Sequence, residues 1–310
     1  MRVVFIGCVE IGLKCLRQIL QDGYGVAAVF TLAKRYAAKT SGFVDFGPLA
    51  RRYGCRVWRV KDINSAANIQ RVRACAPDLI VVCGWQRLLA EKILTIPPLG
   101  VVGFHSSLLP KYRGRAPVNW ALINGERRSG VTMFFCNAKA DTGDIIAQRA
   151  FPIVIDDTCA TVYDKSAHAA CRLLHEYLPR IAAGKAPRRR NPSGRYKLWT
   201  KRNPGDGLID WTKSPRQIHD WIRAQTHPYP GAFTYLGGRR YYVWRSHRLP
   251  DARGKNALPG TILRLTRAGA RIVVSAGGGC LAISDVIGED GKPLQGSLVG
   301  SRFERREFSI

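Results

Sequence analysis

The first part of the chain alternates short apolar runs with amphipathic stretches. The apolar runs at residues 2–7, 26–31 and 78–83 and the β-type run at 56–60 have the length of strands. Stretches with helical spacing follow the first three of these four in chain order, at 11–20, 45–53 and 65–75. Asp45 is the expected N-cap of the second helix, and Gly54 stands just past its end. Strands that alternate with short helices predict parallel βαβ units in an α/β domain with a doubly wound, mostly parallel, Rossmann-like sheet.

The pattern changes in the second part of the chain. A long helix is predicted over about 158–183, and the following residues 185–206 are rich in Pro, Arg and Gly, so we expect the domain boundary there. Ser214 and Pro215 predict the start of a helix over 214–225. Short β-type runs between Gly-rich turns then predict a small all-β barrel or sandwich; they lie at 241–244, 261–265, 271–275 and 280–283. We expect an α/β domain over 1–187, a linker over 188–206 and a β domain over 207–310.

Composition narrows the class of protein. The 310 residues contain no apolar run near the ~18 residues of a membrane span, and the N-terminus is typical of a strand and a helix rather than of a signal peptide. The nine cysteines are odd in number and show no paired CxxC with zinc spacing, so we expect reduced thiols, no metal site and a cytoplasmic protein. The net charge of +27 is consistent either with binding of anions or with arginines spread over solvated faces.

Residues 103–145 contain the clearest chemical pattern of the chain. His105 ends an apolar run over 99–104, and a basic loop with Lys111 and Arg113 follows it. A second β-type run over 131–136 leads to the acidic loop 141–144. A histidine and an aspartate that follow neighbouring strands can meet across the crevice of an open α/β sheet, where ligands bind in such folds. This pairing predicts general acid–base chemistry near neutral pH.

The same segment resembles the signature of the folate-dependent formyltransferase family. His105 stands in the context HSSLLPKYRG and Asp141 in the context DTGDI, while Ile209-Asp210-Trp211 and the run PYPGAF at 228–233 resemble the second domain of two-domain members. Those members include methionyl-tRNA formyltransferase and the formyltransferase half of the bifunctional polymyxin-resistance enzyme. The resemblance implies a formyltransferase-type α/β domain, an OB-like C-terminal β-barrel and 10-formyltetrahydrofolate as the formyl donor.

The resemblance also assigns roles to individual residues. It makes His105 and Asp141 the catalytic pair. The loop after the run 78–83 becomes a wall of the folate pocket, so the donor-binding candidates are Trp85, Gln86, Arg87, Leu88 and Leu89, together with Asp144. Residues next to His105 are the candidates for binding the second substrate: Ser106, Ser107, Lys111 and Arg113.

Gly103 departs from the family pattern. The family usually carries an asparagine two residues before the histidine, and that amide helps to hold the oxyanion of the tetrahedral intermediate. Loss of one oxyanion donor typically costs about 2.7–4 kcal/mol in the transition state. A backbone N–H, a water or His105 has to replace it, or else the chain is a catalytically impaired relative that binds folate or nucleotides.

The acceptor is predicted from the sequence similarity of two segments to family members. Residues 111–126 and 223–244 are closer to the polymyxin-resistance enzyme than to the tRNA enzyme, and residues 39–46 lack the long basic insertion with which tRNA formyltransferases grip the acceptor stem. We therefore expect a nucleotide-linked amino sugar as the acceptor. Methionyl-tRNA is the alternative, favoured by the net charge and by the basic residues 185–206. Homo-oligomerisation stays open.

Overall fold

The computed structural model describes residues 1–192, 196–249, 257–265, 271–295 and 298–304. Its contacts divide the chain into two units. Unit 1 comprises Met1–Pro117, Arg127–Ile153 and Thr161–Thr200. Unit 2 comprises Val118–Glu126, Val154–Ala160 and the described residues from Lys201 onwards. Much of the segment that we expected to be a linker, up to Thr200, therefore lies in unit 1, while the domain bounds that we expected stay a prediction.

Unit 1 is built on a seven-stranded sheet with the order β3-β2-β1-β4-β5-β6-β7. Its strands are β1 (Arg2–Ile6), β2 (Gly25–Leu32), β3 (Arg56–Val60), β4 (Leu79–Val82), β5 (Val101–His105), β6 (Arg128–Phe135) and β7 (Ile145–Pro152). The first five strands pair in parallel, whereas β6 and β7 are antiparallel to their neighbours. The mixed, mostly parallel sheet confirms the predicted α/β class.

The helices are mostly short. They are α1 (Glu10–Gln21), α2 (Gly47–Arg52), α3 (Ala66–Ala74), α4 (Glu91–Leu94), α5 (Pro117–Ile123), α6 (Cys159–Ala182) and α7 (Pro215–Arg223), with 3-10 turns at Lys34–Lys39 and Pro204–Gly207. None of the helices in the described ranges is both long and apolar enough to cross a membrane. The expected N-cap of α2 is wrong by one residue, because Phe46 occupies that position while the Asp45 carboxylate accepts from the Gly47 N–H.

The core of unit 1 follows from the alternation of side chains along its strands. Val3 and Phe5 of β1 pack in one buried cluster with apolar residues of α1 and α6, while Val4 and Ile6 pack on the other face with residues of α3 and α4. Successive residues of a strand point to opposite faces, so a central strand with helices on both sides needs apolar residues at every position. This explains the unbroken apolar runs of β1 and β4.

Unit 2 contains a five-stranded antiparallel sheet with the order β10-β11-β12-β9-β8. Its strands are β8 (Ala232–Leu236), β9 (Arg239–Arg248), β10 (Ile262–Leu265), β11 (Ile272–Ala276) and β12 (Gly279–Gly288). Helix α7 begins as predicted, with Ser214 at the N-cap in a capping box with Gln217. Ile218 and Ile222 of α7 join Val243 and Leu281 in one buried cluster. The sheet confirms the predicted all-β C-terminal domain.

Candidate active site

Strand β5 delivers His105 to the site. The imidazole is only 7% exposed, and its Nε2 lies 2.7 Å from the carbonyl oxygen of Tyr112. A carbonyl oxygen only accepts hydrogen bonds, so Nε2 carries a proton in this arrangement. Nδ1, the other ring nitrogen, lies 3.6 Å from Oδ1 of Asp141. The two residues that we predicted as the catalytic pair are brought together.

The loop that carries Asp141 reaches His105 by a route that differs from our expectation. Because β6 is antiparallel to β5, His105 is in register with Thr132 and Val102 with Phe135, so the end of β6 lies beside the beginning of β5. The contact with His105 is therefore made by the loop 136–144, which returns along β5, and not by two strands that end side by side. Asp141 itself has φ +53°, in the left-handed region, where Asp is tolerated better than most residues.

Arg113 holds Asp141 in place and does not line the cavity beside it. Its side chain is 6% exposed, and its Nε donates to the Asp141 carbonyl over 3.0 Å. Its Nη2 donates to Oδ1 of Asn191 over 2.6 Å and to the Pro192 carbonyl over 2.7 Å. The Asn191 amide in turn donates to the Asp141 carbonyl over 3.0 Å. Arg113 thus supports the loop of Asp141 through Nε and Nη2, and its role in binding substrate stays a prediction.

Gly114 completes the support of the aspartate. Its N–H donates to Oδ2 of Asp141 over 2.8 Å. Gly114 has φ +104°, and a Cβ here would lie 2.4 Å from the Trp199 carbonyl oxygen, so only glycine fits. Trp199 also pairs with the basic loop through hydrogen bonds with Arg113 and Arg115. Part of the segment expected as a linker thereby shapes the site.

A cavity of about 600 Å³ in unit 1 opens beside this pair, which is within the range of small-molecule sites. The five residues that we predicted from the loop after β4 all line it: Trp85, Gln86, Arg87, Leu88 and Leu89. Further lining residues that we did not predict are Val82, Leu94, Arg115, Phe134, Cys136, Asn137, Lys139, Leu198 and Trp199. Most of these come from the loop after β6 and from residues 198–199, whose route across unit 1 leaves no local signal in the sequence.

The loop after β4, which forms one wall of the cavity, is fixed by contacts at both of its ends. Gly84 has φ +68°, and a Cβ there would lie 2.5 Å from Cγ2 of Val9. Asn64 fixes the far end, because its amide donates to the Leu88 carbonyl over 3.0 Å and its Oδ1 accepts from the Ala90 N–H over 2.8 Å. The Leu88 side chain is 56% exposed, and the buried Trp85 Nε1 has no hydrogen-bond partner within the described structure.

The other predicted site residues lie away from the cavity lining. Ser107 is fully buried, and its hydroxyl donates to the Lys111 carbonyl over 2.6 Å, so it braces the loop. Asp144 accepts from the Phe135 N–H through its carbonyl and forms an ion pair with Arg188 at 4.0 Å. Ser106 and Lys111 are partly buried and exposed, respectively, and neither belongs to the lining. None of these four thus belongs to the lining that contains His105 and Asp141.

All nine cysteines are free thiols, and one of them, Cys136, stands beside Gly103. Burial raises the pKa of the Cys136 thiol to about 12, and the negative charge of Asp141 acts in the same direction. Within the ranges that the structure describes, His, Cys, Asp and Glu side chains form no group of three that could hold a metal ion.

Comparison with known proteins identifies the family. The sequence profile described as "Formyl transferase" matches residues 1–178, and the profile described as "Formyl transferase, C-terminal domain" matches residues 201–302. The chain belongs to the formyl transferase family. Its class is therefore that of the formyl transferases, with both the N-terminal and the C-terminal domain of the family in one chain.

Solved structures share the fold at low sequence identity. HypX from Aquifex aeolicus matches with a TM-score of 0.68 and 16% identity over 93% of this chain, which spans only 44% of HypX. WlaRD, a sugar 3N-formyltransferase determined in the presence of dTDP and 5-N-formyl-THF, matches with a TM-score of 0.67 and 18% identity, over 92% of this chain and 97% of its own. An N-formyltransferase from Helicobacter canadensis, in complex with folinic acid and dTDP-3-aminofucose, matches with a TM-score of 0.66 and 20% identity, over 92% and 98%.

Proposed function

We propose that this chain transfers the formyl group of 10-formyltetrahydrofolate to the amine of a nucleotide-linked amino sugar. The observation that carries the proposal is the pair of His105 Nδ1 and Asp141 Oδ1, 3.6 Å apart, in the lining of a 600 Å³ cavity in a chain of the formyl transferase family. The reduced folate supplies an activated formyl group, and the amine attacks it directly. The protein then has to bring the two together, move protons and stabilise developing charge.

Proton transfer is the task that we assign to His105 and Asp141. When the amine nitrogen bonds to the formyl carbon, the nitrogen becomes cationic and has to lose a proton. The Tyr112 carbonyl holds the proton of Nε2, so Nδ1 of the neutral ring is the base that accepts the amine proton. The carboxylate of Asp141 stabilises the imidazolium that results. As the bond to the folate nitrogen breaks, the same proton passes to that nitrogen as the leaving group.

The wall after β4 suits the folate donor. Trp85, Leu88 and Leu89 give an apolar surface for a flat ring system, and the unpartnered Nε1–H of Trp85 is a donor for a pterin heteroatom. The exposed Leu88 side chain gains from being covered by a ligand. Arg87 donates to the Lys61 carbonyl and places a positive charge at the same wall, where the glutamate carboxylates of the folate would bind.

Positive charge elsewhere in the cavity lining favours an anionic acceptor. Arg115 and Lys139 are exposed side chains of the cavity lining, and both carry positive charge. The diphosphate of a nucleotide-linked sugar is such an anion, and two solved relatives with the same fold were determined with dTDP or a dTDP-linked amino sugar. Formylation of methionyl-tRNA is the second candidate, favoured by the net charge of +27.

A competition between acceptors tests the proposal. The purified chain is supplied with 10-formyltetrahydrofolate and, in turn, with dTDP- and UDP-linked amino sugars and with methionyl initiator tRNA, and the formylated products are measured by mass spectrometry. We expect a formylated nucleotide sugar and no formylmethionyl-tRNA. Formylation of the tRNA at a comparable rate would reverse the choice of acceptor, and a steep fall of that rate with salt would support it further.

The His105→Ala variant is the control for chemistry that does not depend on the site. Non-enzymatic formylation of a reactive amine would persist in this variant, whereas the enzymatic reaction is expected to be lost. A product that forms equally fast with the wild type and with His105→Ala contradicts the assignment of the site.

A further inference from the structure

The sulfur of Cys136 stands where a side chain at position 103 would lie. Gly103 and His105 are two residues apart on β5, so their Cβ directions share one face of the sheet. A Cβ built at Gly103 would lie 2.6 Å from Sγ of Cys136 and 3.2 Å from Cζ of Phe134. The amide atoms of an asparagine lie about 2.4 Å from its own Cβ, two bonds away. The thiol therefore occupies, beside His105, a place within the reach of a side-chain amide from residue 103.

Cys136 belongs to the same cavity as the catalytic pair. It lines the cavity together with Gly103, His105 and Asp141. Its backbone N–H donates to the Val101 carbonyl over 2.7 Å, which fixes the residue at the edge of β5. The raised pKa of the thiol keeps its proton on the sulfur at working pH. Cys136 is thus a hydrogen-bond donor and not a thiolate nucleophile.

Resting on the proposed function, we propose that the Cys136 thiol donates the hydrogen bond that stabilises the formyl oxygen during transfer. When the amine bonds to the formyl carbon, the π pair of the C=O bond moves to the oxygen, and the S–H bond shares its hydrogen with that negative oxygen. When the pair returns, the bond from carbon to the folate nitrogen breaks and that nitrogen takes up a proton. Cys136 is unchanged at the end of the cycle.

Asn137 is the competing side-chain donor in the cavity. Its Oδ1 accepts from the Lys139 N–H over 3.1 Å and from the Thr142 hydroxyl over 2.8 Å, so its carbonyl end is used within the loop. Asn137 is exposed, and the contact with the face of β5 next to His105 is made by Cys136. The geometry favours Cys136, and Asn137→Ala is the variant that separates the two.

Four variants test the donor role by steady-state kinetics. Cys136→Ala removes the donor, Cys136→Ser replaces it by a stronger donor of similar size, and Cys55→Ala is the matched control, since Cys55 is a buried thiol of unit 1 outside the cavity. The double variant Gly103→Asn with Cys136→Ala moves the donor back to β5 into the space that the sulfur leaves. Thermal melting of each variant checks that the fold is intact.

We expect Cys136→Ala to lower kcat by about 10–100-fold, less than the 10²–10³ of a strong oxyanion donor because S–H is a weak one. KM for both substrates is expected to stay within about twofold, because the bond strengthens only in the transition state. Cys136→Ser and the double variant are expected to recover kcat, and Cys55→Ala to match the wild type. A packing role instead predicts that the melting temperature of Cys136→Ala falls together with its kcat.

Infrared spectroscopy supplies a readout that does not depend on turnover. The S–H stretching band of Cys136 is assigned by its loss in Cys136→Ser. Addition of 10-formyltetrahydrofolate without an amine acceptor is expected to shift this band to lower frequency. Addition of buffer without the folate is expected to leave the band where it is. A band that does not move on saturation with the donor overturns the proposal.

The failure of this inference is distinguishable from the failure of the proposed function. If the wild type forms no formylated product with any acceptor, the proposed function fails. If the wild type is active and Cys136→Ala has the kcat of Cys55→Ala, the donor role is refuted. A large loss in Asn137→Ala with an unchanged Cys136→Ala assigns the donor role to Asn137 and also refutes it.

Discussion

Replacement of Arg113 by methionine separates a residue that positions the site from one that binds substrate. The buried guanidinium donates to the Asp141 carbonyl, to Oδ1 of Asn191 and to the Pro192 carbonyl. Methionine keeps much of the side-chain volume and removes every donor. The carbonyl of Asp141 retains the hydrogen bond from the Asn191 amide, so the acceptors that lose their partner are the buried Oδ1 of Asn191 and the carbonyl of the exposed Pro192.

The magnitude follows from the buried acceptor on Asn191, because water can reach the Pro192 carbonyl. A buried acceptor left without a partner costs about 1–3 kcal/mol, so the free energy of unfolding of unit 1 is expected to fall by roughly 1–3 kcal/mol. Asp141 has a left-handed φ of +53°, which the lost bonds help to maintain. A displacement of the carboxylate by about 1 Å from His105 lowers turnover by roughly 10²-fold.

The assay combines urea unfolding with the kinetics of formyl transfer. We expect Arg113→Met to lower both the stability and kcat, with KM for the nucleotide sugar little changed. Arg115→Met, two residues away and in the cavity lining, is the matched comparison, and it is expected to raise KM at unchanged stability. A raised KM with normal stability and normal kcat in Arg113→Met would show that its guanidinium binds the acceptor and would refute the reasoning.

The remaining predictions concern the catalytic pair and the acid stability of unit 1. His105→Ala and Asp141→Asn are each expected to lower kcat by about 10²-fold or more with an unchanged melting temperature, and near-normal turnover in either would contradict the assignment. Burial acts to raise the pKa of Asp45, but the Gly47 N–H, Lys34 and Arg59 outweigh it and hold the pKa at about 2. Because the folded pKa is depressed, the stabilisation is present above about pH 4 and is lost as the pH falls towards 2. Asp45→Asn is therefore expected to lower the urea midpoint at neutral pH and to approach the wild type near pH 2, and an equal difference at both pH values would exclude this origin.

The parallel part of the sheet could be predicted because its information is local. The runs that form β1, β2 and β4 are apolar at nearly every position, β3 is a shorter run with two arginines, and each intervening segment has helical spacing, so length and periodicity were sufficient. The ends of α1 and α7 follow from Gly23 and from Ser214 in the same way. The direction of β6 has no such signal. Residues 117–123 form a helix between β5 and β6, which favours another parallel crossover, whereas the structure pairs the two strands antiparallel.

Arg113 and Arg115 of the basic loop have different roles that the residue type alone does not predict. Arg113 and Arg115 stand two positions apart around Gly114, and nothing in their chemistry separates a guanidinium that binds an anion from one that donates to backbone carbonyls. The difference is set by Asn191, Pro192 and Trp199, nearly eighty residues further along the chain, which cover Arg113 and leave Arg115 exposed. A pattern that is read in windows of a dozen residues contains no information on this contact.

The surroundings of Gly103 also depend on a residue that lies far away in the sequence. From the sequence alone, Gly103 lacks the side-chain amide that the family usually carries at this position. The sequence does not say whether a backbone N–H, a water or His105 replaces that donor. The antiparallel register of β6 sends residues 136–144 back along β5, and this return brings the Cys136 sulfur to the face that Gly103 leaves bare. An asparagine at position 103 therefore requires the Cys136 side chain to move, because a Cβ at 103 already lies 2.6 Å from Sγ. The glycine leaves the space and the sulfur fills it, so the donor that we propose comes from the loop after β6 and not from β5.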